Sequence, residues 1–272
     1  MIKNFFCLST VPSTGTTFCM HLFDSPAMAQ IIMPPGDIFA NPLSDLEVLA
    51  ARRHDTKPDA RVLWASSHIY GRRIVGPLLA AGAPVSRESW HASITADDCD
   101  YLGLPVKVIA PLRNPVLMAM TAIWKCRHAR RQLPVRLWWR RQALVWLADF
   151  WSRHPGRLRL IPVDILAKKT RDDREAFLRP IMEDFLGIGL DALNQDVLAA
   201  WGAENSTGSA WPADWAGIRR AVEAGEDVRG RDSRLDAEID YYLSRRTLKR
   251  MYHAHGYTGW PFGPPRIGAH TP

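Results

Sequence analysis

Short apolar runs alternate with helical patterns along this chain, and that alternation limits the fold more than any other feature. Residues 2–10 (IKNFFCLST) are apolar and bounded by Pro12 and Gly15, residues 61–66 read RVLWAS, residues 106–112 read VKVIAPL and residues 158–163 read LRLIPV. Each is short enough for a strand and too continuous for one solvated face, as expected of strands buried on both sides. Helical patterns separate them. They are expected from Thr16 or Thr17, as the capping residue, through Leu22 and beyond, then at 45–54, 72–81, around 96–102, from Pro115 to about Arg131, at 136–152, 173–186 and 233–253. The segments 33–45 and 87–91 read as loop and extended chain, and the pattern weakens after residue 204. Strands that alternate with helices predict parallel βαβ units with helices on both sheet faces. The expected fold is therefore α/β, three-layer, with a central parallel sheet. Residues 1–257 read as one domain, and 258–272 as a Pro/Gly-rich tail holding four of the 20 prolines.

Composition narrows the function classes. At 272 residues, 47% apolar and 23% charged, the chain can build a core and is not disordered throughout. No apolar run approaches the roughly 18 residues that span a bilayer. The start of the chain lacks the continuous apolar stretch of a signal peptide, so the expected location is the cytoplasm. Cys7, Cys19, Cys99 and Cys126 form no C-x-x-C pair, which favours reduced thiols over a zinc site or a disulfide framework. Residues 107–174 hold 16 Lys and Arg against four acids, a charge of +12 inside a chain of net +7. Such a basic middle expects an anionic partner.

Two strand–loop–helix junctions carry the chemistry. The first is Pro12-Ser13-Thr14-Gly15-Thr16-Thr17. Loop N–H groups followed by a helix N-terminus form an anion cradle, which glycine lets the ligand approach. The two threonines add hydroxyls. The leading Gly and the Gly-Lys pair of a Walker A loop are absent. The second junction follows VKVIAPL and reads Arg113-Asn114-Pro115, with Thr121 eight residues after the arginine. A guanidinium binds phosphate through charged, bidentate hydrogen bonds. Thr121 falls about 9 Å along the helix from Pro115 at ~1.5 Å per residue, so a phosphate between Arg113 and an exposed Thr121 hydroxyl is the expectation.

PSTGTT and the RNP junction together resemble the sulfotransferases that use 3′-phosphoadenosine 5′-phosphosulfate (PAPS). That family carries P-K-S-G-T-T after its first strand, and a strand followed by R-[ND]-P with a serine eight residues on. Residues 158–188, with LRLIPVDIL and FLGI, are similar to its later strand and the helix ending in F-L-G. The resemblance covers roughly residues 2–190. It implies a P-loop NTPase-like sheet and transfer of a sulfuryl group from PAPS to a hydroxyl or amine of a small-molecule or glycan acceptor, with no metal. Ser13, Thr14, Gly15, Thr16 and Thr17 would hold the 5′ side, and Arg113 and Thr121 the 3′-phosphate. The family's catalytic histidine stands 22 residues before this arginine, a spacing met by His91, with His68 as the rival. Histidine suits a base because its pKa lies near neutrality. Two departures stand out. The family's loop lysine is Ser13 here, and its C-terminal R-K-G loop has only Arg229-Gly230-Arg231 as a counterpart.

Other readings remain open. Asp164 follows a strand as a Walker B acid would, which suits a P-loop kinase-like phosphotransferase using Mg²⁺. The segment 126–151 mixes arginines with Trp138, Trp139, Trp146 and Trp151, and Trp124 lies just upstream. It reads as a non-catalytic nucleotide or nucleic-acid surface, as an interfacial membrane helix, or as an amphipathic helix whose indoles face the core. Helical spacing favours the last. His128 and His253 lie among basic residues and read as solvated. Neither the acceptor nor the oligomeric state is legible.

Overall fold

The computed structural model of the protein describes residues 4–11, 14–30, 61–68, 107–128, 130–201, 213–257 and 259. Ser13, His91, the expected helices at 45–54, 72–81 and 96–102, the segments 33–45 and 87–91, and nearly all of the tail lie outside the described residues.

Five strands form one parallel sheet: β1 (Asn4–Thr10), β2 (Met28–Gln30), β3 (Val62–His68), β4 (Lys107–Leu112) and β5 (Leu158–Pro162). Their order is β2-β3-β1-β4-β5. β1 is central, pairing Phe6 with Trp64 of β3 and Leu8 with Ile109 of β4. β4 then pairs Leu112 with Pro162 of β5. Pro162 ends its strand in the outermost position among the described residues, where a missing N–H costs least.

Side-chain alternation sends the sheet's apolar residues to opposite faces. Val108, Ala110 and Leu112 of β4 join one cluster with α3 (Leu133–Arg153), α8 (Ser233–Ser244) and α9 (Arg246–Ala254). Ile109 joins the other, with Phe6 and Leu8 of β1. That cluster adds α1 (Thr16–Leu22), α5 (Arg171–Arg179) and a π-helical turn over Pro180–Leu186. Helices thus cover both faces. The remaining helices are α2 (Pro115–Lys125), a single turn α4 (Val163–Leu166), α6 (Gln195–Ala199) and α7 (Ala213–Glu223).

Local chemistry sets these boundaries. Asn114 caps α2, its Oδ1 accepting from the N–H of Val116 at 2.9 Å, and Pro115 supplies the preset φ of a first helical residue. From Pro115 to Ile123 every residue of α2 is buried, so this is a core helix without a solvent stripe. Thr170 and Asp173 form a reciprocal capping box on α5. Asp232 caps α8.

Several expectations are corrected. α1 stops at Leu22, and the chain enters the short strand β2 within six residues. α2 ends at Lys125, not Arg131. The helix expected over 173–186 is α5 followed by the π turn, because Pro180 lacks the N–H that would continue the α ladder. Residues 233–253 are two helices broken at Arg245. α7 lies where the periodicity looked weak. The tryptophan-rich segment is one 21-residue helix with Trp146 buried and Trp138, Trp139 and Trp151 packed against the sheet-facing core. Indoles used that way are not a free stacking or lipid-facing stripe.

Candidate functional site

Parallel strands deliver their following loops to one edge of the sheet. Ligands of open α/β sheets bind there, where the chain order reverses. The reversal falls at β1, whose neighbours β3 and β4 lie on either side. Val11 leaves β1 and Arg113 leaves β4. Neighbouring strands are roughly 5 Å apart, so the two junctions start side by side. Val163 and Asp164 follow β5, one strand further on.

At the first junction, Thr14 is fully buried and its hydroxyl donates to the Val11 carbonyl at 2.6 Å. Gly15 is the N-cap of α1 at φ +102°, in the left-handed region that costs other residues roughly 1–2 kcal/mol. A Cβ there would meet Cγ2 of Val163 at 3.2 Å. Glycine is therefore needed twice, for the turn and for the close approach of the β5 junction. The cap falls one residue before the expected Thr16 or Thr17. Thr17 is exposed, and the Thr16 hydroxyl is buried without a hydrogen-bond partner among the described residues.

The second junction is tied down from three sides. The Asn114 N–H donates to Oδ2 of Asp164 at 2.9 Å, and the Tyr257 hydroxyl donates to Oδ1. Tyr257 also reaches the Leu112 carbonyl at 3.1 Å, and the Tyr252 hydroxyl donates to the Arg113 carbonyl at 3.0 Å. Burial pushes the Asp164 carboxyl above the usual carboxylate range, against the pull of Tyr257, Asn114 and Arg113. Burial and the Asp164 charge push Tyr257 well above the ordinary phenol value, so it stays a donor at any physiological pH. Both Asp164 oxygens thus accept from protein donors, an arrangement that braces strand ends. The sequence reading of Asp164 as a metal-holding acid saw neither donor.

Arg113 is half-buried. Burial lowers its pKa, while Asp164 and Glu223 raise it and Arg219 lowers it further. Arg219 sits on α7, a helix the sequence reading did not assign, and pairs with Glu223 at 2.7 Å. Thr121 differs from expectation. It is 3% exposed and its hydroxyl donates to the Leu117 carbonyl at 2.8 Å, because α2 is enclosed on every side. The expected exposed hydroxyl is not there. Arg229, in the turn with Gly230, is ion-paired to Asp227 at 3.0 Å. His68 ends β3, and its backbone pairs with Thr10 of β1. The structure thus gathers Thr14, Gly15, Thr16, Thr17 and Arg113 at one sheet edge, while Ser13 and His91 lie outside the described residues. Tyr252 and Tyr257 are the bracing residues that sequence reasoning missed, and Asp164, read there as a metal-holding acid, is the third member of the brace.

The chain matches no protein-family model and no curated protein. Among solved structures it is similar to a sulfotransferase from Alicyclobacillus acidocaldarius, at 15% identity over 87% of this chain and 95% of that one, with a TM-score of 0.41. So distant a likeness says nothing about activity. No helix among the described residues is long and apolar enough to cross a membrane.

Proposed function

We propose that this protein is a PAPS-dependent sulfotransferase built on a three-layer, P-loop-like domain spanning residues 1–257. The observation that carries the reading is the strand order. The two junctions with sulfotransferase-like motifs follow hydrogen-bonded neighbours, β1 and β4, so their loops leave the same edge side by side. One adenylate with anionic groups at both ends suits such a pair.

In this reading residues 13–17 hold the 5′-phosphosulfate through the N–H groups from Gly15 onward and the Thr16 and Thr17 hydroxyls, the Thr14 hydroxyl being spent on the Val11 carbonyl. Arg113 holds the 3′-phosphate. The Thr121 hydroxyl is already bonded within α2, so the arginine carries that contact alone or with Arg219. His91 takes the acceptor's proton as the acceptor oxygen or nitrogen attacks sulfur. The sulfur–oxygen bond to the phosphate breaks, and adenosine 3′,5′-bisphosphate leaves. Ser13 gives the leaving oxygen a neutral hydrogen bond where a lysine would give a charged one, about twice as strong. Transfer is accordingly slow. The acceptor is a small molecule or glycan, no metal takes part, and the protein acts in the cytoplasm.

Calorimetric titration with adenosine 3′,5′-bisphosphate tests the site. Arg113→Ala should weaken binding roughly tenfold or more, the loss of a charged hydrogen bond. Circular dichroism checks that the variant folds. Unchanged affinity in a folded Arg113→Ala protein removes the second junction from the site. His91→Ala should abolish transfer from PAPS and leave nucleotide affinity intact. A Mg²⁺ requirement for binding would move the assignment to a phosphotransferase.

A further inference from the structure

The opposite end of α2 carries a second concavity. Asn114 and Arg113 stand at the helix N-terminus, and the helix runs eleven residues to Lys125. At ~1.5 Å per residue its far end is roughly 16 Å away. There a cavity of about 210 Å³ opens between α2, the start of α3, Trp215 of α7 and Arg234 of α8. Its floor is apolar: Ile123 and Cys126 are each 2% exposed, and Leu133 packs beside them. Its indole walls are Trp124 and Trp215. Among the described residues, both charged residues that line it are arginines.

The two arginines differ. Arg234 is held by Asp232, with contacts of 3.0 and 2.5 Å, so its charge is already neutralised. Arg127 is exposed and stacks on the Trp124 ring, its guanidinium carbon 3.8 Å from the centroid. Among the described residues only Nη1 is spent, on the Trp124 carbonyl at 3.1 Å. A guanidinium has five N–H donors, so with respect to the described residues Arg127 retains donors and an uncompensated charge at the rim.

Size decides the ligand class. An engineered cavity of about 150 Å³ admits a benzene ring, and drug-sized sites run to roughly 300 Å³ or more. The space here fits one ring with a small substituent. Indole walls favour a flat ring through offset or edge contact. We propose that this cavity binds a small planar aromatic anion, a single ring bearing a carboxylate, held by the two indoles and by Arg127. The assignment does not depend on the nucleotide site.

Benzoate is the probe, with benzamide as its uncharged counterpart and acetate as the anion without a ring, each titrated by calorimetry into the full chain. Benzoate should saturate at one site. Benzamide and acetate should bind roughly tenfold more weakly or worse, the worth of one charged hydrogen bond or of the ring contacts. Arg127→Gln, at an exposed position, should weaken benzoate roughly tenfold while adenosine 3′,5′-bisphosphate affinity stays unchanged. Equal affinity for benzoate and benzamide overturns the proposal, as does benzoate affinity unmoved by Arg127→Gln. Failure to saturate at millimolar benzoate also overturns it. Benzoate that competes with the nucleotide and is lost in Arg113→Ala belongs to the strand-end site, and that outcome sinks the second site while leaving the first.

Discussion

Asp164 and Glu238 are both carboxylates withdrawn from bulk water, and the fold holds them in opposite ways. Asp164 lies at the sheet edge, where each oxygen accepts from a neutral donor, the Tyr257 hydroxyl or the Asn114 N–H. Glu238 is fully buried between helices. Its Oε1 is paired with Arg141 at 2.6 Å, and Oε2 has no hydrogen-bond partner among the described residues. Beside it lies the buried Arg140, whose pKa falls to about 10 chiefly through burial. Neutral donors around Asp164 fix backbone positions, joining the ends of β4 and β5 to the chain after α9. The ion pair at Glu238 joins side chains, α8 to α3. The first network orients loops that a ligand would meet. The second clamps helices behind the sheet.

The largest expected effect comes from cutting the helical clamp. Glu238→Ala strands arginine charge in a buried setting and should cost about 3 kcal/mol, read by urea denaturation. Nucleotide affinity in the folded protein should not change. A loss well below that would mean Arg140 and Arg141 find solvent once Glu238 is gone, and the contrast with Asp164 would narrow.

Asp164→Ala should cost less, about 2 kcal/mol, since it leaves the Asn114 N–H and the Tyr257 hydroxyl without their acceptor. It should also weaken adenosine 3′,5′-bisphosphate binding, because the peptide between Arg113 and Asn114 loses the acceptor of its N–H. If affinity survives the change, the brace and the site are independent.

A smaller effect sharpens the same comparison through pH. The folded pKa of Asp164 lies above the unfolded value of about 3.9, so between the two the native state binds more protons than the unfolded chain. Stability from this group is therefore present below about pH 3.9 and is lost as pH rises through the folded pKa. Asp164→Asn should remove that fall from a plot of unfolding free energy against pH. A curve parallel to wild type would contradict the burial argument. The smallest effect belongs to the exposed pair Arg171–Glu175, at 2.7 Å on α5. Arg171→Ala should cost under about 0.5 kcal/mol in the same denaturation assay, and a larger loss would show that exposure does not separate this pair from the buried ones.

Much of the sheet was legible beforehand. VKVIAPL is β4 to within a residue because a strand buried on both faces reads as an unbroken apolar run, and Asn114-Pro115 marks the next helix through its own cap chemistry. Gly15 was recognisable as the residue that lets a ligand approach the loop backbone. The identity of the cap was not, since Gly15 competes with two good capping threonines and wins only because the loop needs a left-handed turn against Val163. Thr121 carried the right spacing, but spacing reports a helical face and not what covers it. α7 was overlooked because Gly217 and neighbouring charges blur its period, and Arg219 was overlooked with it.

By itself the amino-acid order determined where β1, β3, β4 and β5 run and where α2 begins, most of α3 and α5, and which residues could meet an anion. These are local matters, settled within a turn or a strand by apolar period, caps and backbone freedom. Tertiary structure alone decided that the loops after β1 and β4 emerge next to one another, and that Tyr252 and Tyr257 reach back across 139 and 145 residues to hold the end of β4. Contacts of that separation leave no period in the chain, because they depend on which strands pair and on where the last helix comes to rest.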